Sequence, residues 1–137
     1  MATFVKFQQA VADAWNGQHN FGADVFKIAL TNTAPVAASN VAITDITQIT
    51  AANGYVAGGA VIGITSATQT AGVLSVVPTA DVVFTASGGA FGPARYAVFY
   101  NSTSGRLISY WDKGASVTIT DPDTLTIDVG ATLFTAS

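Results

Sequence analysis

The chain has 137 residues, a length suited to one domain that buries roughly two thirds of its unfolded surface without a covalent staple. It has no cysteine, which excludes a disulfide framework, a thiol nucleophile and a cysteine-based zinc site. Only 9% of residues are charged, against about a quarter in an average domain, and five Lys or Arg with no basic cluster exclude a phosphate-backbone partner.

The eight acidic residues are all Asp, the net charge is −3, and half of the chain is hydrophobic, with a mean hydropathy of +0.45. So little charge on so apolar a chain predicts surface that is covered in an oligomer or larger assembly, because a dispersed domain needs more charge to stay in solution. The N-terminus shows no apolar run behind a positive region, and no stretch approaches the roughly 18 apolar residues of a membrane helix, so neither a signal peptide nor a membrane partner is expected.

In chain order, Thr3 is placed to cap a helix over residues 3–16, with Phe4, Phe7, Val11 and Trp15 at helical spacing and Gly17 as its stop. That stripe predicts a face packed on a sheet, with docking of the helix on a neighbouring subunit as the alternative. A loop over 18–22 leads into a strand over 24–31, with Phe26, Ile28 and Leu30 toward the core and Lys27 on the other side. Residues 32–59 form an irregular excursion rich in Pro, Asn, Gly and small side chains, in which residues 45–52 could supply one or two helical turns. Ordered excursions of this length are often binding surface.

Short strands follow over 60–65, 73–77 and 81–86, then a Gly-rich loop over 87–92. From Pro93 to Asp128 three alternating runs read as an antiparallel meander. Tyr96, Val98 and Tyr100 share one face of the first run, and Arg95, Ala97 and Phe99 the other. Asn101–Gly105 has hairpin-loop chemistry, and the return run places Ile108 with Tyr110 and Leu107 with Trp111. Asp121-Pro122-Asp123 marks a turn before Leu125 and Ile127, and residues 131–135 close the chain as a strand. The pattern predicts a mainly β fold in a single domain over 1–137. Its form would be an antiparallel β-sandwich or flattened, jelly-roll-like barrel of about eight short strands with one N-terminal helix.

Catalytic chemistry has little to build on. His19 is the single histidine and sits in a polar loop, which reads as a solvated residue. Asp121 and Asp123 could pair as acid and base, yet Asp-Pro-Asp is more simply a turn. Trp111, Asp112 and Lys113 would suit sugar stacking, or else a strand end with one packed aromatic. Arg95 could pair with Asp81 or Asp128. Gly58-Gly59 and Gly88-Gly89 lack the helix and Lys of a phosphate-cradling loop. No triad, metal cluster or cofactor loop is visible, so a non-enzyme with no cofactor and no metal is expected.

The opening FVKFQQAVADAWNGQHNFGADVFKIALTNTAPV, the central ITAANGYVAGG, and the closing FTASGGAFGPARYAVFYN with LISYWDKGASVTITDPDTLTID form an ordered series over nearly the whole chain. In that series the chain resembles small virion proteins of tailed bacteriophages. The resemblance implies a structural role, foremost as a capsid decoration (cement) protein made in the bacterial host cytoplasm. Such a protein would sit on the capsid surface as a homo-oligomer, a trimer, bound to the major capsid protein. It carries over no catalytic residues. Phe4, Phe21, Tyr55 and Phe91 are the side chains expected at the partner interface. A tail-tip or fibre-associated protein is the alternative within that class. A carbohydrate-binding β-sandwich module, with Phe91, Tyr110 and Trp111 as an exposed aromatic row, is the alternative outside it.

Overall fold

Alternating apolar residues and frequent turns build a fold of antiparallel strands, seen in a computed structural model that describes residues 3–127 and 134–136, with side chains over 5–127. The elements are β1 (Thr3–Lys6), α1 (Gln9–Trp15), β2 (Phe26–Thr31), a 3-10 turn (Ile43–Asp45), β3 (Ala60–Ile62), β4 (Ile64–Thr70) and β5 (Val73–Pro78). After them come β6 (Val82–Thr85), β7 (Ala90–Asn101), β8 (Leu107–Thr120), β9 (Thr124–Ile127) and β10 (Phe134–Ala136). A five-stranded sheet in the order β1-β8-β7-β2-β3 faces a three-stranded sheet, β10-β5-β4, and a β6-β9 pair. All pairings are antiparallel.

The expected β-sandwich is therefore present, with a helical cover on its second face. Phe26, Ile28, Leu30, Phe99 and Trp111 of the large sheet pack against Val76, Phe84, Leu125 and Ile127 of the smaller strands. The opposite face of the same sheet carries Ala29, Val98, Tyr100 and Leu107, and these are covered by Phe7, Ala10 and Ile46. Burial on both faces explains why β2 and the middle of β7 read as near-continuous apolar runs.

The helix is shorter than the spacing predicts. Residues 3–6 form an edge strand against β8, with Phe4 opposite Trp111 and Val5 opposite Tyr110, and α1 starts only at Gln9. Open hydrogen-bonding groups on β8 offer this Thr-Phe-Val segment a ladder, which tertiary context makes the better choice. Phe7 is fully buried against the Tyr110 ring at 5.4 Å, but Val11 is 47% exposed and Trp15 89% exposed. The helical stripe thus packs on the sheet only at its first turn.

The meander is likewise modified. Leu107 to Thr120 is one unbroken 14-residue strand, so Asp112 and Lys113 lie within it and do not mark its end. It forms a long hairpin with β7, while β9 crosses to pair with β6. Opposite Phe99 and Tyr100 stand Ser109 and Leu107, which leaves Ile108 as an extra residue. This bulge reverses the alternation, so Ile108 joins Trp111 in one core and Leu107 joins Tyr110 in the other. The loop expected over 87–92 already enters β7 at Ala90, and the Asp121-Pro122-Asp123 turn forms as expected, with Asp123 N–H donating to the Thr120 carbonyl at 2.7 Å. The closing strand is seen over Phe134–Ala136; residues 131–133 lie outside those described.

Side chains hold the excursion over 32–59 down. The helical turns expected over 45–52 reduce to the single 3-10 turn, where the Asp45 carboxylate accepts from the Val41 and Ala42 N–H groups. The Tyr55 hydroxyl donates to Gln48 Oε1 at 2.7 Å and accepts from Leu30 N–H at 3.0 Å, and burial raises its pKa to about 12. Tyr100 Oη donates to the Gly58 carbonyl at 2.6 Å. Gly59 lies so close to β2, with φ +81°, that a Cβ there would fall on the Ile28 carbonyl. The glycine pair at 58–59 thus serves packing.

Trp111 is 6% exposed and its ring lies 6.5 Å from that of Phe99. Trp111→Ala should destabilise the fold by about 3–5 kcal/mol. Thermal unfolding checks this, with an expected fall in Tm of roughly ten degrees or more; a shift under about 2 °C would place Trp111 outside the core.

Candidate functional site

The start of α1 is anchored by Phe7, just before it, and by Ala10 in its first turn, while Val11 and Trp15 further along are uncovered. Val11, Ala14 and Trp15 form one wall of an open groove. The opposite wall is the β4–β5 hairpin, where Ala71 and Gly72 both take positive φ (53° and 82°) between the paired residues Thr70 and Val73, as a two-residue twisted turn requires. Leu74, Phe21 and Ile108 line the space between, and Lys6 and Gln69 are its polar rim. The groove encloses about 380 Å³, a volume in the range of ligand and side-chain pockets.

Behind the groove, Asn101 is fully buried and holds three segments together. Its Nδ2 reaches Asp24 Oδ2 at 2.7 Å, the Gln18 carbonyl at 3.0 Å and His19 Nδ1 at 3.2 Å, while its Oδ1 accepts from the Thr103 and Ser104 N–H groups at 2.9 and 3.2 Å. The amide nitrogen has no lone pair to offer, so its closeness favours the His19 tautomer with the lone pair on Nδ1 and the proton on Nε2. Nε2 is buried without a partner, as is Oδ2 of Asp13, a residue only 2% exposed. Asp13 Oδ1 accepts from Gln9 Nε2 at 3.3 Å and lies 3.9 Å from Arg106 Nη1.

His19 is therefore no free loop residue, as its polar neighbours suggest; it is half-buried and lines the groove. Burial lowers its pKa below the ordinary 6.5; Asp13 and Asp24 oppose that shift and Arg106 adds to it. The Asn101 amide, followed by the Asn20 N–H, holds the Asp24 carboxyl below its usual value. Arg95 pairs with Asp112, not with the expected Asp81, and Asp128 lies outside the described residues. Its Nε and Nη2 donate to the two oxygens of Asp112 at 2.8 and 3.2 Å, its guanidinium lies 5.3 Å from the Tyr96 ring centre, and that pairing is the first cause of the lowered Asp112 pKa. Asp112 thus fastens β7 to β8 and is occupied, which removes it from a sugar-binding trio.

Of the four side chains expected at an interface, Tyr55 and Phe91 are each 2% exposed and belong to the core. Both face inward, Tyr55 from the excursion. Phe21 is half-buried, stacked on Phe26 at 4.7 Å, and lines the groove. Phe4 pairs through its backbone with Trp111, and its side chain lies outside those described. The buried rings of Phe91 and Trp111 cannot form an exposed row with Tyr110. The β4–β5 turn is the part of the groove that sequence reasoning missed; the helical spacing of Val11 and Trp15 marked them as apolar-faced without telling whether that face would meet the sheet or a partner.

Among the described residues no group of three or more His, Cys, Asp or Glu side chains could hold a metal ion, and no helix is long and apolar enough to cross a membrane. The arrangement offers an apolar contact surface with donor groups on its rim. Comparison with protein-family models, with curated proteins and with solved structures finds no match for this chain.

Asn101→Ala removes the shared partner of loop 18–24 and the β7–β8 turn and should cost about 3 kcal/mol, measured by denaturant unfolding. The pH dependence has a definite sign. His19 and Asp24 both have folded pKa values below their unfolded ones, so the stability they contribute is present at neutral pH and lost on acidification. Unfolding free energy should fall first below about pH 6.5 and again through the carboxylate range, and His19→Gln should erase only the first step.

Proposed function

We propose that this chain is a structural virion protein of a tailed bacteriophage, a decoration protein that binds major-capsid subunits at the capsid surface and stabilises the shell. One observation carries the docking role. Trp15, 89% exposed, stands with Val11 at the mouth of an open apolar groove on a chain with only 9% charged residues. A large aromatic held in water on an ordered helix marks a surface that a protein partner covers, since aromatic anchors dominate interface energetics. The ordered motif series over nearly the whole chain supports the virion assignment. The site needs no cofactor, because its groups bind and position without breaking bonds.

A small groove gives modest affinity at one site. Firm attachment then comes from a homo-oligomer, a trimer, engaging several capsid subunits together, which raises avidity without new contacts.

Particles prepared without this chain, mixed with the purified protein and sedimented, should carry it down in fixed stoichiometry and resist heat better than bare particles. Light scattering of the free protein should exceed the 13.9 kDa monomer mass at micromolar concentration. Trp15→Ala should fold normally and reduce co-sedimentation at least tenfold, as for a hot-spot aromatic. Absence of co-sedimentation by the unmodified protein overturns the decoration role.

A further inference from the structure

The rim of the groove is chemically one-sided. Among the described residues Lys6 is the only formally charged one lining it, on a chain whose net charge is −3. On the opposite wall, Gln69 Oε1 accepts from the Gly72 N–H at 3.1 Å, which orients the amide and leaves its Nε2 hydrogens to give beside one remaining lone pair. The Trp15 indole N–H is a donor only, and the exposure of this residue leaves it open to a partner. His19 adds no acceptor, since its Nδ1 faces Asn101. Among the described lining side chains Lys6 and Trp15 are donors only, Gln69 offers two donors against one lone pair, and the walls between them are apolar.

From this complementarity we infer that the groove receives a segment of the partner protein in which an Asp or Glu carboxylate is flanked by large aliphatic side chains. The inference rests on the docking role proposed above and names the chemistry of what docks. Apolar side chains enter between Val11 and Leu74, and the carboxylate accepts from Lys6, Gln69 and Trp15 at the rim. A neutral or basic segment of the same shape would leave those donors unpaired or bring two cations together, and both outcomes disfavour it.

The test uses the whole chain and three capped peptides, acetyl-Ala-Leu-Asp-Leu-Ala-amide and its counterparts with Asn or Lys at the centre. Binding is followed by NMR shifts of the Trp15 indole and Gly72 amide resonances. The Asp peptide should give saturable shifts at both and bind about two- to fivefold more tightly than the Asn peptide, the range expected of an exposed ion pair, with the Lys peptide weakest. Lys6→Gln should abolish the preference for Asp over Asn while the shifts persist, and Gln69→Glu should weaken the Asp peptide further. No saturable shift with the Asp peptide, or equal binding of all three, overturns the inference. If the unmodified protein still co-sediments with particles in that case, the docking role stands and only the proposed occupant falls; if co-sedimentation fails too, the docking role falls with it.

Discussion

The fold depends on one buried amide. Asn101 ends the central strand β7, and its side chain joins the loop after α1, the carboxylate of Asp24 and the backbone of the β7–β8 turn. Each of these segments would otherwise bring unpaired polar groups to the edge of an apolar core, where an unsatisfied group costs more than a hydrogen bond returns. Satisfying them at one point fixes where the helix leaves the sheet. The exit of the helix in turn fixes the wall on which Trp15 stands. Packing, loop geometry and the groove are thus consequences of a single residue's donors and acceptors.

A second constraint is the two-sided burial of the large sheet. With Phe26 and Phe99 turned to the smaller strands and Val98 and Leu107 turned to the helical cover, strands β2 and β7 have no solvated face through their middle. Polar side chains are left to edges, turns and the outer faces of β4 and β6, in keeping with the low charge of the chain. The Arg95–Asp112 pair sits where β7 and β8 emerge from the core, partly exposed, and contributes register more than stability.

Much of this was legible in the residues. Alternation located β2, β5, β6 and the core face of β7, and the turn chemistry of Asn101–Gly105 and Asp121-Pro122-Asp123 located their connections. What was not legible depended on partners distant in sequence. Residues 3–6 read as helix because the spacing of Phe4 and Phe7 fits one, and only the free edge of β8, about a hundred residues later, makes them a strand. The bulge at Ile108 left no mark in the local pattern, so the faces of Leu107 and Trp111 could not be sorted. Tyr55 was expected at the interface, whereas an excursion folded back by its hydroxyl puts the ring inside. The groove draws its walls from three separate stretches, and no single window of sequence contains it.

The pairing order of the large sheet has a kinetic consequence. Its first strand, residues 3–6, meets residues 109–112, and β2 meets β7 some seventy positions away. The sheet cannot close until most of the chain has been synthesised, so loop-closure entropy must be met before non-local contacts return anything, and folding should be slow for a domain of this size. Meanwhile α1, with its Val11 and Trp15, leaves the ribosome before β7 and β8 and waits for a sheet that does not yet exist. A segment that is apolar in the nascent chain and still uncovered in the finished one is a standing invitation to premature association, and the same side chains that suit the helix to docking make timely folding, or an early partner, a condition of its use.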